Sequence, residues 1–170
     1  MKNNHFGPPQ KPASEHDEAA VIFDYVAGHL LKQKVMSREE DECRYRVSNR
    51  DPSERDLACA VGCLVTDEAY NKHWFRVEGC RLGDDLFCSE EGEEQQTPMQ
   101  DFLLPAWMKK HSDMISHLQI AHDIANTEAQ LLSMLQMVAS IHRSKLRRRS
   151  RTRAQFIEQR LEELDNSDAR

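Results

Sequence analysis

Five cysteines, Cys43, Cys59, Cys63, Cys80 and Cys88, are the residues of this 170-residue chain whose type best suits chemistry. A thiolate is both a nucleophile and a zinc ligand, and with histidines nearby the five supply enough donors for a four-coordinate site. The pair Cys59-x3-Cys63 lies within the apolar run LACAVGCLV, residues 57–65. On a strand, four residues at about 3.3 Å each separate the two thiols by about 13 Å, too far to share one ion; only a helix or turn brings them together. A nucleophile at Cys59 or Cys63, with His122 as base and Asp123 or Asp67 orienting it, needs a cation or a helix N-terminus beside the sulfur. An apolar run offers neither. The five cysteines are therefore read as free thiols that fill space, with no cofactor and no catalytic residue assigned.

His122 falls on the apolar face of its segment, which predicts an imidazole hydrogen-bonded into the core. Asp67, Glu68 and Asp123 are expected to cap helices or bond backbone, and Tyr45 and Tyr70 to anchor a hairpin and a loop.

The strongest functional feature is a basic run: Arg143, Lys145, Arg147, Arg148, Arg149, Arg151 and Arg153 place seven positive charges in eleven positions. On a helix these would project charge almost all round, a pattern that binds phosphate backbones or acidic protein surfaces. The plainer alternative is a solvated helix pairing with Glu158, Glu162, Glu163 and Asp165, or with the acidic stretch of Asp84, Asp85, Glu90, Glu91, Glu93 and Glu94. No aromatic residues interleave the arginines, which weakens a single-strand stacking model.

The elements that must position these groups follow from periodicity. Residues 1–13, with Pro8, Pro9 and Pro12, carry no apolar pattern and are expected to form a flexible arm. Ala19, Ile22, Phe23, Val26 and Leu30 then recur at helical spacing, with acidic residues in the first turn and lysines in the last. CRYRV, residues 43–47, and LACAVGCLV read as two strands of a β-hairpin joined by a long polar turn, and HWFRVE, residues 73–78, as a third strand. Alanine makes a helix the competing reading for residues 57–65. Residues 79–98 read as an acidic loop. Met114, Leu118, Ala121, His122 and Ala125 mark a second amphipathic helix. A third is expected from Thr127, whose spacing to Gln130 is that of a capping box, with Leu131, Leu135, Val138 and Ile141 buried. Residues 14–146 are thus expected to form one α+β domain: a small β-hairpin or three-stranded antiparallel sheet packed by an N-terminal helix and C-terminal helices. Residues 147–170 are expected to form a charged helical extension.

Hydrophobic residues make up 39% of the chain and charged residues 31%, and the formal net charge is −6. That balance favours solubility and gives no general affinity for nucleic acid. No stretch approaches the roughly 18 apolar residues of a membrane span, and residues 1–12 lack the apolar core of a secretory signal. An odd number of cysteines without an export signal suits a reducing compartment, so a cytoplasmic location is expected.

With CRYRV, then CAVGCLV followed by TDEAY, then Glu78-Gly79, then LQIAHD in that order, the chain resembles a group of small proteins encoded by bacteriophages and prophages. The resemblance spans roughly residues 18–146, as judged by the order of those segments, and CAVGCLV is its most specific piece. The turn at residues 48–56 is longer than in that group and lacks its glycines, and the basic segment lies outside the resemblance. The group carries no established activity. What it implies, together with the absence of cofactor loops, phosphate-binding glycines or a separated acid–base pair, is a non-enzymatic accessory protein in the host cell cytoplasm that binds a host protein. Nucleic-acid binding through residues 143–153 is the second expectation, and a zinc-binding or thiol-dependent enzyme using Cys43, Cys59, Cys63, Cys80 or Cys88 the third. No membrane partner is expected, and a homo-oligomer through the C-terminal helix is compatible with the pattern.

Overall fold

The computed structural model describes residues 6–33, 37–39, 42–47, 56–71, 87–88, 97–98 and 104–146, together with Ile157 and Gln159. A 3-10 turn at Glu15–Asp17 leads into the long helix α1, Glu18–Gln33. Ala19, Ile22, Phe23, Val26 and Leu30 are all buried, as their spacing predicts. After the short helix α2, Ala106–Lys109, come α3, Ser112–Ile124, and α4, Glu128–Ile141. These two form an antiparallel pair against α1, and the three long helices make the body of the core.

The start of α4 follows its sequence signal closely. Thr127 Oγ1 accepts the Gln130 N–H at 3.2 Å, while Gln130 Oε1 reaches back to accept the Asn126 N–H at 2.8 Å. The buried stripe is Leu131, Leu132, Leu135, Val138 and Ala139; Ile141, expected inside, is exposed. It ends the helix, where the stripe has already rotated past the core.

The β component consists of antiparallel two-stranded pairs: β1, Arg38–Glu39, with β2, Glu42–Cys43; β3, Arg46–Val47, with β4, Leu57–Ala58; and β5, Phe87–Cys88, with β6, Thr97–Pro98. The expected hairpin exists, in the register Arg46↔Ala58 and Val47↔Leu57, and the α+β class holds. Its second strand, however, stops at Ala58. Residues 59–65 turn instead, with a 3-10 helix at Gly62–Leu64, and every residue from Ala58 to Val65 is buried. The alternation that would have put Cys59, Cys63 and Val65 on one face does not occur. The cause is steric and polar together. Gly62 lies so close to β3 that a Cβ there would fall 1.9 Å from the Tyr45 carbonyl oxygen, and the turn lets small residues nest between the helices. The expected strand at residues 73–78 and the acidic cluster lie outside the described residues.

Phe6 and Gly7, in the segment read as an arm, both touch the domain: the Gly7 N–H donates to Cys63 O at 3.0 Å and Phe6 packs against the core. At the other end, Leu146 and Ile157 are buried in the same core. No helix among the described residues is long and apolar enough to cross a membrane.

Replacing Gly62 with alanine must displace the Tyr45 carbonyl or the turn. A loss of at least about 3 kcal/mol is expected, read as a drop in the urea midpoint with the m-value unchanged.

Candidate functional site

The residues singled out for chemistry gather around the buried turn. Cys59 and Cys63 sit on one turn of chain, the Cys63 N–H donating to Cys59 O at 3.0 Å, so the separation expected of a strand does not apply. What removes them from chemistry is their surroundings. Cys59 Sγ accepts the Gly62 N–H at 3.2 Å, and the Cys63 thiol donates to Ala60 O at 3.2 Å. Neither sulfur is exposed. Burial pushes both thiols up, Cys59 well above the ordinary cysteine value, and the nearby Arg46 charge only partly offsets this for Cys63. Burial thus favours the neutral thiol at both, whereas nucleophiles and zinc ligands are thiolates. The side chains of Cys43, Cys80 and Cys88 lie outside the described residues. Among those described, no group of three or more His, Cys, Asp or Glu side chains is placed to hold a metal ion.

His122, on α3, is fully buried and its Nε2 accepts the Ser37 N–H at 3.1 Å. That bond assigns the ring proton to Nδ1, which donates to Asp123 Oδ1 at 2.9 Å. The same carboxylate oxygen accepts the Gln119 side-chain amide at 2.7 Å, and Gln119 Oε1 accepts the Val61 N–H at 3.0 Å. The imidazole lone pair that a general base needs is therefore held by backbone, and Gln119, His122 and Asp123 form a relay joining Ser37 to the turn. Ser37 in turn exchanges bonds with Arg44: its hydroxyl donates to Arg44 O at 2.8 Å and the Arg44 N–H donates to Ser37 O at 2.9 Å.

Arg46 clamps the turn from the other side. Its guanidinium donates to Gly62 O from Nε and Nη2, at 3.3 Å each, to Val65 O from Nη2, and to Asp67 Oδ1 from Nη1 at 2.7 Å. Its flat faces are covered by Phe6, 4.6 Å from the ring centroid, and Tyr70, 4.5 Å away. Asp67 thus pairs with an arginine, and the capping role falls to Thr66, whose hydroxyl accepts the Ala69 N–H at 3.1 Å.

Two more partners come from α1: Gln33 Oε1 accepts the Ala58 N–H at 2.9 Å, and His29 Nε2 donates to Ala58 O at 3.0 Å. Sequence reading missed Phe6, His29, Gln33 and Gln119. The available signal was polar side chains of unusual reach on the buried side of amphipathic helices.

A second polar cluster lies at the start of α1. Glu18 is fully buried, with Lys110 Nζ at 2.5 Å, His111 Nε2 at 3.3 Å and Lys11 Nζ at 3.6 Å. Burial alone would raise its pKa, but Lys110, His111 and Lys11 together outweigh it and hold the carboxyl below its ordinary value. Burial likewise depresses His111, with Glu18 only partly restoring it.

Of the basic run, Arg143 and Lys145 are exposed on the turn after α4, which ends at Ile141, so Arg143 does not continue that helix. Arg147, Arg148, Arg149, Arg151 and Arg153 lie outside the described residues. No family model, curated protein or solved structure matches the chain.

Two measurements check this arrangement. In native protein, Cys59 and Cys63 should resist a soluble thiol reagent and become reactive only on unfolding, as read by mass spectrometry of the labelled peptides; fast native labelling of either contradicts the burial. Glu18 and His111 both bind their protons less tightly folded than unfolded. The stability they contribute is therefore complete above about pH 6.5, falls first as the unfolded chain protonates His111, and falls further below about pH 4.5 through Glu18. Denaturant midpoints measured from pH 7.5 to 3.5 should decline monotonically, with a shallower limb below pH 4.5 in Glu18→Gln.

Proposed function

We propose that this protein is a non-enzymatic accessory protein of the phage type that acts in the host cell cytoplasm by binding a host protein. The observation that carries this reading is an apolar face on the α3–α4 pair. Ile120 and Ile124 are 46% and 58% exposed on α3, and Met137 and Ile141 are 53% and 57% exposed on α4. Within each pair the spacing is four, so each forms a stripe along its helix. Ile120 stands one turn beyond His117 and Ile141 directly precedes His142, two rings that touch across the helices. Each stripe lies exposed on its own helix, and the two helices pack against one another and touch at His117 and His142. Scattered apolar residues need no explanation, but an exposed apolar stripe on each of two packed helices is what a protein partner buries. The thiols and imidazole that chemistry would need are committed to holding the fold, which also favours binding over catalysis.

A second reading keeps the basic segment as a phosphate-binding element, favoured by the exposure of Arg143 and Lys145. Its mark would be an affinity for DNA or RNA that falls steeply with salt.

The test is a pull-down from host lysate with the wild type and with the double variant Ile124→Asp and Ile141→Asp, accompanied by sedimentation of each. A stoichiometric partner retained by the wild type and lost by the variant, with unfolding midpoints unchanged, is the expected result. A partner retained equally by both, or a dimer of this chain broken by the variant, would overturn it.

A further inference from the structure

One pair of titratable side chains takes no part in holding the buried turn. His117, midway along α3, and His142, at the C-terminal cap of α4, bring Nδ1 and Nε2 within 2.8 Å. The ring centroids are 5.0 Å apart, with the planes inclined at 48°. Both rings use one nitrogen for this contact, and their outer nitrogens bond no protein group among the described residues. A single proton can lie between the two facing nitrogens, so at least one of them presents a lone pair to the other.

Two imidazoles bound to one ion at about 2.0–2.1 Å stand about 2.8–3.0 Å apart if the angle at the metal is 90°, and about 3.3 Å apart if it is tetrahedral. The observed separation matches the first case. Right-angled nitrogen ligation is the preference of Cu2+ and Ni2+, which also stand highest among the late divalent ions in affinity for imidazole. Binding requires both rings to rotate until their lone pairs converge on a point off the line joining the two nitrogens, with the shared proton lost and each remaining N–H on the outer nitrogen.

The electrostatic surroundings are mixed and tolerable. Asp113 lies one turn before His117 on the same face of α3, and its charge reaches His142. It is exposed and available to accept a hydrogen bond from water on an ion. Lys145 is the opposing charge. Burial, His117 and Lys145 together hold His142 below the ordinary imidazole value.

We propose that His117 and His142 form a two-nitrogen site for a late divalent transition-metal ion, Cu2+ or Ni2+, whose remaining positions are filled by water. The ion takes the place of the shared proton and ties the end of α4 to the middle of α3. With only two protein donors the site belongs to the moderate-affinity class.

The experiment uses the full chain under reducing conditions with Ni2+ as the probe, read by equilibrium dialysis and by thermal unfolding. One Ni2+ per chain, a rise in Tm on saturation, and selective paramagnetic broadening of the His117 and His142 ring signals are expected. His117→Gln should weaken binding more than tenfold and abolish the rise in Tm, while His16→Gln, at an exposed position elsewhere, leaves both intact. His142 is buried and its replacement risks the fold, so the half-buried His117 carries the test. Absence of bound Ni2+, or affinity within twofold of wild type in His117→Gln, would reduce the pair to a hydrogen bond and overturn the proposal.

Discussion

A buried stretch of irregular backbone has to find a partner for each of its N–H and C=O groups without a sheet or helix to supply them. Residues 58–65 are such a stretch, fully inside the protein yet strand only at its first residue. Two groups of polar side chains, one around Arg46 and one around Gln119, answer to it. Ala58 is served by Gln33 and His29, Cys59 by the Tyr45 carbonyl, Val61 by Gln119, Gly62 and Val65 by Arg46, and Cys63 by Gly7. Each of these bonds contributes only about 1 kcal/mol net, but each group left bare would cost about 1–3 kcal/mol. The penalty side of that asymmetry is what makes the polar residues indispensable.

This requirement gives the chain's short motifs a structural meaning. Arg46 belongs to CRYRV, Gly62 and Val65 to CAVGCLV, Asp67 and Tyr70 to TDEAY, and the guanidinium of the first touches all four of the others. Gln119, His122 and Asp123 are the polar members of LQIAHD and carry the relay from Ser37 to Val61. Three separated segments meet at one turn. Their residue types follow from planarity and reach: a lysine in place of Arg46 could neither bond several acceptors in one plane nor stack between Phe6 and Tyr70.

The helices were legible in the sequence because bulky apolar residues mark their period: α1 and α3 have the expected buried faces and Thr127 caps α4. The pairing of β3 with β4 was legible too, from alternation and the polar turn between them. Residues 59–65 were not. Alanine, cysteine and glycine are small enough to be buried in any conformation, so neither period is written into them, and what selects the turn is the contact of Gly62 with Tyr45 and partners up to 58 residues away. Cys59 and Cys63 are buried, as the space-filling reading of them requires, but the strand spacing argued for that pair is abolished by the turn. The His117–His142 contact was not legible, because nothing local to either residue announces a partner on another helix.

Helix α3 is where these threads join. One face anchors the core through Met114, Leu118 and Ala121, a second pins the turn through Gln119, His122 and Asp123, and the third turns Ile120 and Ile124 outward with His117 beside them. A helix held on two sides by packing and by a closed hydrogen-bond relay has little freedom left to lose when its third side meets a partner. Much of the ordering cost of the proposed binding would thereby be met during folding, so the two exposed isoleucines of α3 would contribute more there than the same residues on a loop. Under the proposed function, the polar apparatus of the buried turn would supply the rigidity that makes the outward apolar residues a usable surface.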